Sequence, residues 1–349
     1  MLRAGLAQVQ NANLTLARLF ALYTRHETPK KSAWQREADA RKVRLWARWL
    51  GGTKDPHHIM RREWEGFISA RGTGAVDGNG NAVPAKDRKP VGTRVVEIDL
   101  VWLKAVLNWA ISWAEQPGHR VLRENPVRGF TIPREENPRR PVASDDRYEA
   151  TRAISDQITM RIRAGGKQLV QRSYLSEILD IANGTARRIS AICQLRYEDL
   201  QLTSTPSAPH GAIRWPGTTD KEGRAWAPPI TPPVRAALER VLRERPGIGA
   251  AYLFPPPVDP TCPIEYGLAS EWLRRAERLA GLPKLKGGVW HPYRRRWATV
   301  RKHLPLTDVA AAGGWKSTQT LLKCYQQPDK ATMLEVVLAG AELRERGRA

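Results

Sequence analysis

The sequence predicts a mainly α protein of two domains, the first all-helical and the second a mixed α/β unit with a small antiparallel β-sheet. Three observations predict it. Apolar residues recur at helical spacing through most of the 349 residues, a segment with four prolines interrupts that pattern after residue 124, and two short strand-like runs flank the turn Asp220-Lys-Glu-Gly223.

The first domain is expected to span residues 1–130. Leu100, Leu103, Leu107, Ala110 and Ile111 form one apolar stripe, and Trp102, Val106, Trp109 and Trp113 form a second on the same segment, so this helix should be central in a small bundle. Trp34, Trp46, Trp49 and Trp64 lie in similarly periodic segments and are read as core, as aromatic side chains at this spacing usually are. The interleaved Arg41, Lys42, Arg44 and Arg48 suit either contact with a polyanion or a solvated face. Residues 71–93, with Gly72, Gly74, Gly78, Gly80, Pro84 and Pro90, read as a mobile loop. The prolines between Glu124 and Pro141 exclude helix and suit an extended linker, set here at residues 131–143.

The second domain is expected to span residues 144–349. A helix from Tyr174 to Asn183 should stop at Gly184, and Thr185 should cap a new helix reaching Arg196, with Arg188 in its first turn and Ile189, Ile192 and Leu195 buried. The runs 212–216 and 225–230 are expected to pair as a hairpin with Lys221 at its tip. Helical pattern returns at Leu268–Leu279, at Pro292–His303 with proline in the favoured first turn, and at Asp308–Ala312. Residues 331–343 read as a closing amphipathic helix.

Charge narrows the class of partner. The chain has 57 Lys and Arg against 35 Asp and Glu, a formal charge of +22, and residues 1–140 carry 25 against 14, so both parts are equally basic. A polyanion long enough to touch both domains, such as a nucleic acid, accounts for this better than a single basic arm would. Only Cys193, Cys262 and Cys324 are present, which argues against a disulfide framework or a cysteine-rich zinc site. His57-His58 lacks accompanying ligands and reads as a solvated loop pair. No run approaches the roughly 20 apolar residues of a membrane span, and the stretch after Met1 is too short for a secretory signal. The expectation is a soluble cytoplasmic protein, nucleoid-associated when bound to DNA, with no metal, no cofactor and no membrane partner.

Four motifs carry a resemblance. Thr185-Ala-Arg-Arg188-Ile-Ser resembles the first arginine box of the tyrosine recombinases, the phage-integrase family, and His291-Pro-Tyr-Arg294 resembles their His-x-x-Arg box. Gly314-Trp315 followed by Cys324-Tyr325 resembles their closing box, and the tryptophan-rich first domain ending in Asn125-Pro-Val-Arg-Gly129 is similar to their helical core-binding domain. Individually the motifs are weak, and their order and spacing make them strong. The resemblance implies a core-binding domain joined to a recombinase catalytic domain, gripping double-stranded DNA as a C-shaped clamp. It also implies a homotetramer on two DNA sites with the last helix docking on a neighbour, accessory DNA-bending or directionality factors being left open. Integration or excision of a phage or mobile element is the implied use, on a simple recombination site because the N-terminal part is too short for an extra arm-binding domain.

The chemistry explains the residue types. The Tyr325 phenol can attack phosphorus and store the bond as a phosphotyrosine, which makes rejoining independent of ATP. Arg188 and Arg294, planar and permanently charged, suit the negative charge that grows on the non-bridging oxygens. By resemblance His291 exchanges a proton near the tyrosine, while Trp315, where many relatives have histidine, can donate its N–H but cannot shuttle a proton. Lys221 is the candidate acid for the departing 5′-oxygen, with Arg224 its rival. Two departures from the pattern stand out. Ala191 occupies a position usually acidic, and Tyr325 follows Trp315 by ten residues where nine is usual. Tyr293 and Tyr266 are alternative phenols read as structural. A catalytically inactive DNA-binding regulator and a type IB topoisomerase-like nicking and resealing enzyme remain the alternative functions.

Overall fold

Four helices make up the first part of the chain: α1 (Leu16–His26), α2 (Ala33–Leu50), α3 (Arg61–Gly72) and α4 (Thr93–Ser112). The computed structural model describes residues 14–116, 119–135, 140–164, 167–219, 225–257, 259–285, 287–329 and 332–339. Contacts divide it between Pro138 and Arg139 into two units.

In the first unit α4 packs against each of the other three helices. Its Leu100, Leu103, Val106, Leu107 and Ala110 are fully buried against Leu19 and Phe20 of α1, Trp46 of α2 and Phe67 of α3. The tryptophans of the second stripe are only half-buried: Trp102 donates to Asp39 at 2.8 Å, and Trp109 stands edge-on to Tyr23 at 5.3 Å. Thr15 caps α1, and Ser32 with Gln35 forms a capping box on α2. Trp34, expected in the core, is 70% exposed at the start of α2. A short ladder of β1 (Ala114–Gln116) and β2 (His119–Arg120) follows α4, so the unit is not all-helical.

The interleaved cations of α2 do structural work. Lys42 pairs with Asp99, a fully buried carboxylate that also accepts from Arg71 Nε at 2.9 Å. Arg48 donates to Asn81 at 2.6 Å and Arg44 to Asn79 at 3.4 Å. These contacts overturn the reading of 71–93 as a mobile loop. The Asp77 carboxylate accepts the Asn79 and Asn81 amides at 2.8 Å, folding the segment into a turn laid on α2. Gly80 closes it at a φ of 85°, where a Cβ would lie 2.7 Å from the Leu45 carbonyl oxygen.

The segment between the units is anchored at both ends. Trp64 donates to the Thr131 carbonyl at 2.8 Å, and the Ala143 amide donates to Pro292 at 3.1 Å.

The second unit begins with α5 (Asp145–Ser155) and a hairpin of β3 (Thr159–Ala164) and β4 (Lys167–Arg172) that the apolar pattern did not announce. It continues through α6 (Leu175–Thr185), α7 (Ile189–Cys193), β5 (Leu200–Gln201) and β6 (Ala212–Ile213). It then runs through α8 (Pro232–Glu244), α9 (Tyr266–Leu279), α10 (His291–Thr299), α11 (Leu306–Gly313), α12 (Thr318–Cys324) and a last described helix over 332–339. Its main core surrounds Ile178, Leu179 and Ile181 of α6, with Val234 and Leu238 of α8 and Leu273 of α9. A smaller core joins Ala186, Trp297, Ala298, Val309, Ala310, Trp315 and Leu321. Among the described residues no helix is long and apolar enough to cross a membrane.

The expected hairpin exists in reduced form. β6 pairs with β5, while Trp215 and Trp226 exchange both backbone hydrogen bonds, at 2.7 and 3.1 Å. Pro216, Pro228 and Pro229 have no N–H, so the ladder shrinks to isolated bridges.

Breaking a buried ion cluster leaves uncompensated charge, typically at about 3–5 kcal/mol. Asp99→Ala, which strands Arg71 and Lys42, should lower unfolding stability by that amount in a urea titration, and a loss below about 1 kcal/mol would contradict the role assigned to Asp99.

Candidate active site

Helix α6 does not stop at Gly184. It continues to Thr185 and ends because Ala186 takes the left-handed region, at φ 54° and ψ 14°. Gly184 serves close approach instead, since a Cβ there would lie 2.2 Å from Val234 Cγ2 of α8. α7 then starts at Ile189 with Arg188 as its N-cap residue. Arg187 and Arg188 therefore lie in the break between two helices, not in a first helical turn. An alanine held left-handed is strained, and such strain gathers at functional sites.

Arg294, from the first turns of α10, enters this break. Its Nη1 donates to the Ala186 carbonyl, and its Nη2 lies 3.5 Å from the Gly314 carbonyl oxygen. The guanidinium carbon sits 4.0 Å from the centre of the Trp315 ring and 5.2 Å from that of Tyr325. Those two rings meet edge to face at 4.9 Å. His291, exposed at the start of the same helix, has its ring 6.2 Å from that of Tyr325. Pro292 in the first turn of α10 and Trp290 as its N-cap residue mark where the helix starts, and so where both residues emerge. Tyr325 follows the last residue of α12, whose start Ser317 caps.

Burial pushes the Arg294 guanidinium down to about 9, with Arg188 and Arg187 adding like-charge repulsion and the Tyr325 phenol acting the other way. It remains a cation at neutral pH. A buried cation pressed by two others favours an anion among them. The Trp315 indole N–H is buried with no hydrogen-bond partner among the described residues, so one more donor stands ready there.

Arg188, His291, Arg294, Trp315 and Tyr325 are thus brought together. Lys221 and Arg224 lie outside the described residues, and the pairing of Trp215 with Trp226 brackets the segment that holds them. Tyr293 is fully buried, donates to Glu277 at 2.8 Å, and burial pushes its phenol well above the ordinary range. Tyr266 is half exposed and neighbours none of the site residues in the ring contacts described. Ala191, where an acid was expected, is buried in the main core. His57 pairs with Asp55 at 2.8 Å, and among the described residues no three His, Cys, Asp or Glu side chains gather as for a metal ion.

Sequence reasoning missed Arg187. It is 7% exposed, lies 5.2 Å from the Trp215 ring, and presses on Gly314, where a Cβ would meet its Nη1 at 2.1 Å. Its one signal was that the buried pattern begins only at Ile189, which leaves the preceding arginines outside the helix.

No protein-family model matches the sequence, and no curated protein matches it. Solved structures do. Lambda integrase, as a dimer bound to a COC′ core site, superposes with a TM-score of 0.64 at 14% identity over 91% of this chain and 80% of its own. As a tetramer bound to a Holliday junction it gives 0.64 at 14% identity, over 92% and 80%. The Tn1549 transposon integrase in complex with circular intermediate DNA gives 0.61 at 15% identity, over 93% and 99%. The chain has the fold of these tyrosine recombinases.

Gly314 takes a φ of 70° with Arg187 against its Cα. Gly314→Ala should therefore be destabilising beyond the roughly 1–2 kcal/mol of the left-handed conformation alone, lowering the thermal midpoint by several degrees in calorimetry. An unchanged midpoint would mean that Arg187 is not packed there.

Proposed function

We propose that this chain cleaves and rejoins duplex DNA at a specific site through a 3′-phosphotyrosyl intermediate on Tyr325, acting as a recombinase that integrates or excises a phage or mobile element. One observation carries the reading: the buried Arg294 guanidinium lies against the Tyr325 and Trp315 rings, with Arg188 near enough to repel it and the His291 ring 6.2 Å from that of Tyr325. The integrase fold and the charge of +22 support it.

In this mechanism the Tyr325 oxygen attacks phosphorus, its proton passing to His291, and the bond from phosphorus to the 5′-oxygen breaks. Arg188, Arg294 and the Trp315 N–H hold the non-bridging oxygens as charge grows on them. Lys221 gives a proton to the 5′-oxygen. Attack by another 5′-hydroxyl on the phosphotyrosine reverses the sequence, so bond energy is conserved and no nucleotide hydrolysis is needed. Four protomers on two DNA sites would exchange strands in this way. The helix over 332–339 exposes Met333, Leu334, Val336 and Val337, an apolar surface suited to docking on a neighbour.

Tyr325→Phe should bind DNA normally and form no covalent adduct on a nicked suicide duplex. Removing one preorganised donor typically costs about 10²–10³ in rate, so Arg188→Ala and Arg294→Ala should lose cleavage and keep most binding. A surviving adduct in Tyr325→Phe sinks the assignment of the nucleophile. Wild-type protein that binds duplex and never becomes attached identifies a DNA-binding regulator instead.

Lys221 is tested by the leaving group. A 5′-bridging sulfur needs little protonation, so Lys221→Ala should cleave ordinary DNA very slowly and the sulfur-substituted strand at nearly the wild-type rate, while Arg188→Ala stays slow on both. Equal impairment of Lys221→Ala on the two substrates, or rescue of Arg224→Ala, removes Lys221 from the mechanism.

A further inference from the structure

A cavity of about 420 Å³ in the second unit is walled by Arg187, Trp226, Thr307, Trp315, Lys316 and Thr318. Of the mechanism's described residues, Trp315 lines it and the others do not. Two of its walls are cations and two are hydroxyls, the Trp315 N–H is buried without a hydrogen-bond partner among the described residues, and no carboxylate is among the described lining residues. That donor set suits an anion. The rim adds a flat apolar surface. Trp215 is 1% exposed, whereas Trp226, bonded to it across the ladder, is 52% exposed. A large indole left half in water beside two cations fits a ligand carrying both a phosphate and an apolar face.

Trp315 ties this cavity to the site already described, because Arg294 covers its ring at 4.0 Å while the same residue forms a cavity wall. An occupant of the cavity therefore sits next to the phosphate that Arg294 would hold. A DNA strand threading the site presents such an occupant, the next nucleotide of the same strand. Arg187 is built for this position. Burying a guanidinium is unfavourable without compensation, and here Trp215 covers it and Gly314 leaves it room.

We propose that this cavity holds the sugar–phosphate of a nucleotide neighbouring the cleaved bond, with its phosphate on Arg187 and Lys316 and its deoxyribose against the Trp226 indole. The inference rests on the proposed function, and it makes Arg187, Lys316 and Trp226 DNA-contacting residues to which the mechanism above gives no role.

The test uses the full chain and a duplex that it selects from a random-sequence pool. Methylphosphonate substitution removes the charge of one phosphate at a time along the cleaved strand. At one position wild-type affinity should fall roughly ten-fold or more, and at that position Lys316→Ala, already weaker, should lose little further. Hydroxyl-radical cleavage should find the adjoining deoxyribose protected by wild type and exposed with Trp226→Ala. Lys316 and Trp226 are both exposed, so these variants leave the core intact. Losses that add at every phosphate, or a footprint that Trp226→Ala leaves unchanged, overturn the proposal. Covalent attachment through Tyr325 is scored separately on the same duplex. Its absence removes the proposed function, whereas attachment without a shared phosphate removes only the cavity's occupant.

Discussion

The buried Arg294 guanidinium organises the candidate site. A desolvated cation is unfavourable unless its surroundings compensate, and the surroundings here come from three separate segments. The Ala186 carbonyl accepts from it, the Gly314 carbonyl lies beside it, and the Trp315 and Tyr325 rings offer their faces. The break after α6, the start of α10, the glycine turn after α11 and the end of α12 are all positioned by what this one side chain requires. Arg188 and Arg187 do the opposite, adding positive charge where the cation is already pressed.

The first unit answers to a comparable constraint with an opposite outcome. Its buried charge, Asp99, is compensated within the unit by Arg71 and Lys42. Three of the four cations interleaved along α2, Lys42, Arg44 and Arg48, hold Asp99 and the turn at Asn79 and Asn81. A net charge of +22 therefore overstates what this helix can offer a phosphate backbone, since only unpartnered or phosphate-facing cations release counterions.

Much of this was legible beforehand. The stripe from Leu100 to Ala110 announced a central helix, because a helix buried on two sides repeats apolar residues at its own period. The residues proposed for catalysis were picked out by type, since few side chains can hold or attack a phosphate. The hairpin of β3 and β4 was not, because short strands of mixed polarity carry little periodic signal. The Asp77 turn was misread because glycine and proline mark a change of direction and say nothing of whether side chains then pin it.

The sequence by itself determined the helical class, the two-part organisation and the basic character. These are properties of composition and local period, which survive without knowing what touches what. Tertiary structure alone decided that α6 ends at Ala186 and not at Gly184, because the glycine is needed where Val234 crosses it. It also decided that Arg187 is buried on Trp215 while its neighbour Arg188 is only half-buried. Adjacent identical residues cannot be told apart by any local rule. Their fates diverge because packing between segments far apart in the chain fixes which side of the backbone faces the core.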